Sequence, residues 1–197
     1  MNKVLSLAYF AGGSKFTIEP FKALKDSKHK LKIVYTKEPK KAGRGKKKKQ
    51  NCLFEEVIKN NISIKTLNDF TNLENIKLLN ELKLDFIIVF SFGLLLPKEI
   101  LKIPKYGCVN IHTSLLPKWR GASPVQHALL NNEKKTGYTF IIMNQGLDEG
   151  NIVYKESIKI YDEYNYSSLL DKLVKLASKS LIQNIEGLAN NTIKPVA

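Results

Sequence analysis

The sequence predicts an α/β fold, a doubly wound, mostly parallel sheet with helices on both faces. Three observations lead there. Short apolar segments alternate with amphipathic ones along nearly the whole chain, the pattern of repeated strand–helix units. The stretch 85–92, DFIIVFSF, is almost continuously apolar, as expected of a strand buried on both faces. Polar and glycine-bearing loops follow several of the strands, and sheets of this kind gather their ligands at strand ends.

Residues 3–10 form an apolar run ending at Ala11-Gly12-Gly13-Ser14, a strand and its turn. Residues 19–27 are amphipathic enough for a helix. A second strand spans 31–36, with a strongly basic loop after it. Residues 53–60 read as a helix and 63–67 as a short strand. Leu73, Ile76, Leu79 and Leu82 recur at helical spacing through 73–83. The strand 85–92 precedes a helical turn over 97–101 and a strand over 107–112. Pro124 suits the first position of a helix over Pro124–Leu130, with Ser123 as its N-cap. Strands at 138–143 and 152–160 lead to a long terminal helix, Tyr166–Ala189.

A chain of 197 residues with 43% apolar content supports one large globular domain, or one and a fraction. No apolar run reaches the roughly 20 residues that a membrane helix needs. The N-terminus lacks a small-residue cleavage site, so a cytoplasmic location is expected. Cys52 and Cys108 stand apart without CxxC spacing, which indicates neither a disulfide framework nor a zinc site. No metal is expected.

The net charge of +14 points to a polyanionic partner. Half of it sits in residues 37–49, KEPKKAGRGKKKK, where eight basic residues face only Glu38. The glycines around Arg44 make this a mobile basic loop. Only two of the 32 basic residues are arginines, Arg44 and Arg120. Arginine brings a planar hydrogen-bonding fork that lysine lacks.

The loops at 12–14, at 37–49, at Ser91-Phe92-Gly93, after Asn110-x-His112 and over 144–150 should converge on one rim of the sheet. Gly12-Gly13 is not a full GxGxxG pattern and no acidic residue follows at the right distance, which disfavours a dinucleotide. Asn110 and His112 lie two apart on a strand and share a face. A carboxylate such as Asp148 beside His112 would orient the imidazole and stabilise its charged form. An amide and an imidazolium together can hold a developing oxyanion. No serine or cysteine occupies a nucleophile elbow, so the set suits direct transfer between two bound substrates. His29 and His127 are read as structural.

Asn110-Ile-His112, then Ser114-Leu115-Leu116-Pro117-x-x-Arg120-Gly121, and later Gly146-Leu147-Asp148-x-Gly150, resemble the formyltransferases that use 10-formyltetrahydrofolate. The loop Ala42-Gly43-Arg44-Gly45-Lys46-Lys47 resembles that of the methionyl-tRNA formyltransferases among them. One departure is Gly12-Gly13-Ser14, where the family usually has a Gly-Thr-Pro turn. The resemblance implies a Rossmann-like formyltransferase fold. It implies a catalytic domain over 1–189, with 190–197 beginning a linker to a C-terminal domain beyond this chain.

It also implies roles. Asn110 and His112 polarise the formyl carbonyl, and Asp148 pairs with His112 and assists proton transfer. The folate donor lies along Phe90, Ser91, Phe92, Gly93 and Leu94, then Ser114, Leu115, Leu116 and Pro117, and finally Gln145, Gly146 and Leu147. Lys40, Lys41, Arg44, Lys46, Lys47 and Lys48 meet methionyl initiator tRNA. Neither a membrane nor an obligate protein partner is implied. A formyltransferase acting on a sugar-nucleotide amine and a non-catalytic RNA-binding module on the same fold stay open as alternatives. The basic run argues against the first, and the intact Asn110, His112 and Asp148 against the second.

Overall fold

The structure, a computed structural model, describes residues 3–38, 41–42, 47–48, 50–70 and 72–197. Strand β1 (Ser6–Ala11) leads through a 3-10 turn (Lys15–Thr17) to α1 (Ile18–Lys25) and β2 (Lys30–Lys37). Two short strands, β3 (Lys41–Ala42) and β4 (Lys47–Lys48), precede α2 (Cys52–Lys59), β5 (Ile64–Leu67), α3 (Leu73–Glu81) and β6 (Phe86–Phe90). Then come α4 (Lys98–Leu101), β7 (Cys108–His112), α5 (Pro124–Leu130), β8 (Lys135–Ile142), β9 (Ile152–Lys159) and α6 (Tyr166–Ala189).

The main sheet runs β5-β2-β1-β6-β7-β8-β9. The first five strands are parallel, and β8 and β9 are antiparallel additions. The chain moves outward from β1 to β2 and β5, then crosses back to β6 on the other side. The switch point therefore lies between β1 and β6, where ligands of doubly wound sheets collect.

Alternation along β1 divides the core. Leu7, Tyr9 and Ala11 join one cluster with Phe21 of α1, Val57 of α2, Val125 of α5 and the buried stripe Leu169, Leu173, Ala177, Leu181 and Ile185 of α6. Ala8 and Phe10 face the other cluster, with Leu79 of α3 and Ile100 of α4. Helices thus cover both faces, as expected. Asn165 and Ser168 begin α6 with a reciprocal capping box.

Some local expectations change. Ser123 precedes α5 but adopts φ 63° and makes no side-chain cap bond, so Pro124 alone marks that helix start. The basic run is not wholly a loop: Lys41 pairs with Lys48 and Ala42 with Lys47 in an antiparallel ribbon separate from the main sheet. Backbone pairing needs no particular side chains, which is why lysine-rich composition hid it. Lys40, Arg44 and Lys46 lie outside the described residues. Residues 190–197 return to the sheet: Val196 and Ile152 exchange two backbone hydrogen bonds at the outer edge of β9.

His29 is structural, as read. Its ring is buried, Nδ1 accepts the Leu5 N–H at 3.2 Å, and Nε2 lies 3.1 Å from Glu186 Oε1. Burial lowers its pKa and Lys28 adds to this, while Glu186 and Asp85 oppose it. Protonating Nδ1 would also break the Leu5 bond. An unfolded histidine titrates near ~6.5, so the unfolded chain takes up this proton first as pH falls. The folded state then loses stability from about pH 6.5 down to its own lower pKa. The drop in melting temperature between about pH 7.5 and 5.5 should be smaller in His29→Gln than in the parent. Equal drops would show that another group carries the dependence.

Candidate active site

Period-two geometry on β7 brings Asn110 and His112 to the same side, at the end where the strand meets the 113–123 loop. Asp148 reaches them from the loop after β8, 38 residues from Asn110 in sequence. Asn110 Nδ2 donates to Asp148 Oδ1 at 3.0 Å. His112 Nδ1 lies 3.4 Å from Asp148 Oδ2, and both side chains are largely buried. The three residues singled out from sequence therefore meet.

Two backbone groups that sequence reasoning missed complete the cluster. The Gly121 N–H donates to Asp148 Oδ2 at 2.9 Å. His112 Nε2 faces the Trp119 carbonyl oxygen at 2.8 Å. Both ring nitrogens thus face oxygen acceptors, and only the doubly protonated imidazolium can donate to both. His112 has no ring nitrogen pointing to open space. Among the described residues, the second amide N–H of Asn110 has no hydrogen-bond acceptor. Of the two donors expected at an oxyanion, Asn110 is the one already free.

Backbone conformations support this geometry. Asp148 has φ 51°, Trp119 φ 59° and Gly121 φ 80°. A left-handed Trp is uncommon, and here the bend turns the Trp119 carbonyl toward His112. The Trp119 ring stacks on His127, centroids 5.1 Å apart and 8° from parallel. His127 therefore supports the 113–123 loop. Arg120 Nη1 lies 3.6 Å from Glu149 Oε1, a second link between the loops at 113–123 and 144–150.

The switch point is closed by glycine. The Gly12 N–H donates to the Phe90 oxygen at 3.3 Å, and a Cβ at Gly12 would come within 2.4 Å of the Ser91 carbonyl oxygen. Ser91 (φ 50°) and Gly93 (φ 63°) turn the chain sharply beyond β6. Val89 pairs with Asn110, so this turn sits one strand away from the carboxamide.

The positions expected along the folate divide by exposure. Ser91, Gly93, Pro117, Gln145, Gly146 and Leu147 are exposed, and Leu94 and Leu115 are partly so. Phe90, Phe92, Ser114 and Leu116 are buried. Phe92 packs on Phe10 and Phe70, and Ser114 Oγ donates to the Lys118 oxygen at 2.5 Å. These four can offer a ligand only backbone. Thr139 explains the burial of Ser114 and Leu116: its hydroxyl donates to the Ser114 oxygen and accepts the Leu116 N–H. Among the described residues, no cluster of three or more His, Cys, Asp or Glu is placed to hold a metal ion, and no helix is long and apolar enough to cross a membrane.

Comparison with known proteins shows the family. Residues 5–185 match the formyl transferase family. The chain is 42% identical over 183 residues to a methionyl-tRNA formyltransferase of Legionella pneumophila (strain Corby), covering 93% of this chain and 58% of the relative. It is 37% identical over 189 residues to the enzyme of that name from Ehrlichia ruminantium (strain Gardel), covering 95% and 62%. The chain thus spans less than two thirds of the length of either relative. In fold it is similar to a phosphoribosylglycinamide formyltransferase from Bacillus halodurans, with TM-score 0.78 at 22% identity over 95% of this chain and 96% of that one. A sugar N-formyltransferase from Shewanella shares the fold at TM-score 0.70 and 13% identity, over 98% and 73%.

Proposed function

The chain belongs to the formyl transferase family, and from that premise we propose that it transfers a formyl group from 10-formyltetrahydrofolate to the α-amine of methionyl initiator tRNA. The observation that carries this reading is the meeting of Asn110, His112 and Asp148 at the strand-end rim, beside the β1/β6 switch point. The names of the two bacterial relatives and the basic run at 37–49 favour a tRNA acceptor over a sugar nucleotide.

In the reaction the acceptor nitrogen bonds to the formyl carbon, and the carbonyl oxygen becomes an oxyanion. The bond to the folate N10 then breaks, and the proton lost by the amine ends on N10. The free N–H of Asn110 donates to the oxyanion. His112 adds its charge, and its Nε2–H is redirected from the Trp119 carbonyl toward the substrate oxygen. Asp148 holds both groups and stabilises the imidazolium. Exposed backbone at Gly93 and over 145–147 supplies hydrogen-bonding groups for the flat donor ring.

The direct test is formyl transfer from 10-formyltetrahydrofolate to charged initiator tRNA, run beside an amino-sugar nucleotide. Turnover on the tRNA alone is expected. Preference for the sugar nucleotide, or no turnover with RNA binding retained, would overturn the proposal. Arg44→Lys keeps the net charge of the basic run and loses the planar fork. It should retain general RNA affinity but narrow the ratio of kcat/KM between initiator and elongator methionyl-tRNA. An unchanged ratio would leave Arg44 equivalent to its lysine neighbours.

A further inference from the structure

The basic run leaves the rim at the end of β2 and rejoins it ahead of α2, and one side chain ties the two ends together. Asn51 Nδ2 lies 3.2 Å from Thr36 Oγ1 and 3.3 Å from the Lys37 carbonyl oxygen, donating to both. Its Oδ1 accepts the Phe54 N–H at 2.9 Å, which makes it the N-cap of α2. Asn51 also rests against the turn after β1. A Cβ at Gly13 would fall 2.3 Å from the Asn51 Cβ, so the absence of a side chain there admits it. On the outgoing side Glu38 accepts a hydrogen bond from Asn68 at 3.0 Å. The position from which the basic run departs is therefore set by the same residues that shape the β1 turn.

We infer that Asn51 is a positioning residue for the tRNA acceptor, fixing the roots of the basic run against the Gly12-Gly13 turn of the active rim. The inference rests on the tRNA reading proposed above. Asn51 touches no substrate. Its function is to hold the described residues on either side of the run, Lys37 and Asn51 itself, in one register at the rim. Loss of the two bridging bonds leaves the chemical groups intact and widens the range of positions from which the run starts.

The substitutions separate cap from bridge. Asn51→Asp keeps an oxygen for the Phe54 N–H but loses both donations and sets a carboxylate against the Lys37 oxygen. Thr36→Val removes one bridge without touching Asn51. For Asn51→Asp we expect KM for methionyl-tRNA to rise about tenfold, as loss of two hydrogen bonds implies. The value of kcat should stay within about twofold, and affinity for the folate should not move. Thr36→Val should show a smaller rise of the same kind. A double-mutant cycle provides the test that a merely structural role would not pass. With Lys46, Lys47 and Lys48 changed to Gln, Asn51→Asp should raise KM little further. The inference falls if Asn51→Asp leaves KM for tRNA unchanged, lowers kcat alone, or acts independently of the lysines. Should Asn51→Asp not fold, Thr36→Val gives the same comparison alone. If the parent chain does not formylate charged tRNA, the proposed function fails first, and that result is distinct from any of these.

Discussion

Asp148→Asn is expected to lower turnover by about three orders of magnitude, at the upper end of what loss of one oxyanion-stabilising group costs. The carboxylate accepts from both sides at once. Oδ1 takes the Asn110 amide, while Oδ2 takes the Gly121 N–H and faces His112 Nδ1. An amide at this position has only one oxygen. Turned toward Gly121 and His112, its NH2 opposes the NH2 of Asn110. Turned the other way, it opposes two donors. Either arrangement misplaces a group that acts on the substrate carbonyl and removes the charge that balances the imidazolium. The backbone is not at issue, because Asn tolerates the φ of 51° found at this residue nearly as well as Asp does. Folate affinity should therefore persist. Single-turnover rates and folate titration on the same preparation check both halves. A rate within about tenfold of the parent, equivalent to a barrier change of no more than about 1.4 kcal/mol, would remove Asp148 from the chemistry.

Gly150→Ala should cost about 2 kcal/mol of stability, the usual scale of overpacking at a site that cannot yield. Its Cβ would stand 1.8 Å from the Ile142 carbonyl oxygen and 3.3 Å from the Met143 Cα, both backbone. The chain leaves β8 there and returns beside it, since the Ile142 N–H donates to the Asn151 oxygen at 2.9 Å. The loop between must open to admit a methyl group, and Asp148 is two residues away. A melting temperature lower by roughly 4–8 °C is expected for a chain of this size. Turnover should fall by up to about 10²-fold, because a shift near 1 Å in a positioned group has that effect. Gly146→Ala is the contrast in the same loop. Its Cβ would meet mainly the end of the Glu149 side chain, which is exposed and can move. Parent-like melting is expected for Gly146→Ala, since the side chain it meets can move aside. Parent-like melting for Gly150→Ala would show that the close approach is not a constraint.

The layered α/β architecture was legible from local pattern alone. Period-two and period-3.6 apolar spacing depends only on neighbours in sequence, and the continuous run at 86–90 marks a strand covered on both faces. The same periodicity places Asn110 and His112 on one side of β7, so two of the three central residues could be paired without coordinates. Spacing alone does not give strand direction. Residues 135–142 and 152–159 read simply as strands, yet both run antiparallel at one edge.

Tertiary structure decided the partners. The Trp119 carbonyl that faces His112 and the Gly121 N–H that holds Asp148 are backbone groups, present in every residue and therefore without a compositional mark. What selects them is a positive φ at each residue, a property of the closed loop rather than of the letters WRG. Ser114 and Leu116 sit in a motif that reads as ligand-binding, but Thr139, over 20 residues away, turns them inward. Asn51 looks like an ordinary helix cap in sequence. Only when α2 packs against β2 does its amide reach Thr36 and Lys37. A hydrogen bond needs its two groups within about 3 Å, and for residues far apart in sequence the fold alone sets that distance.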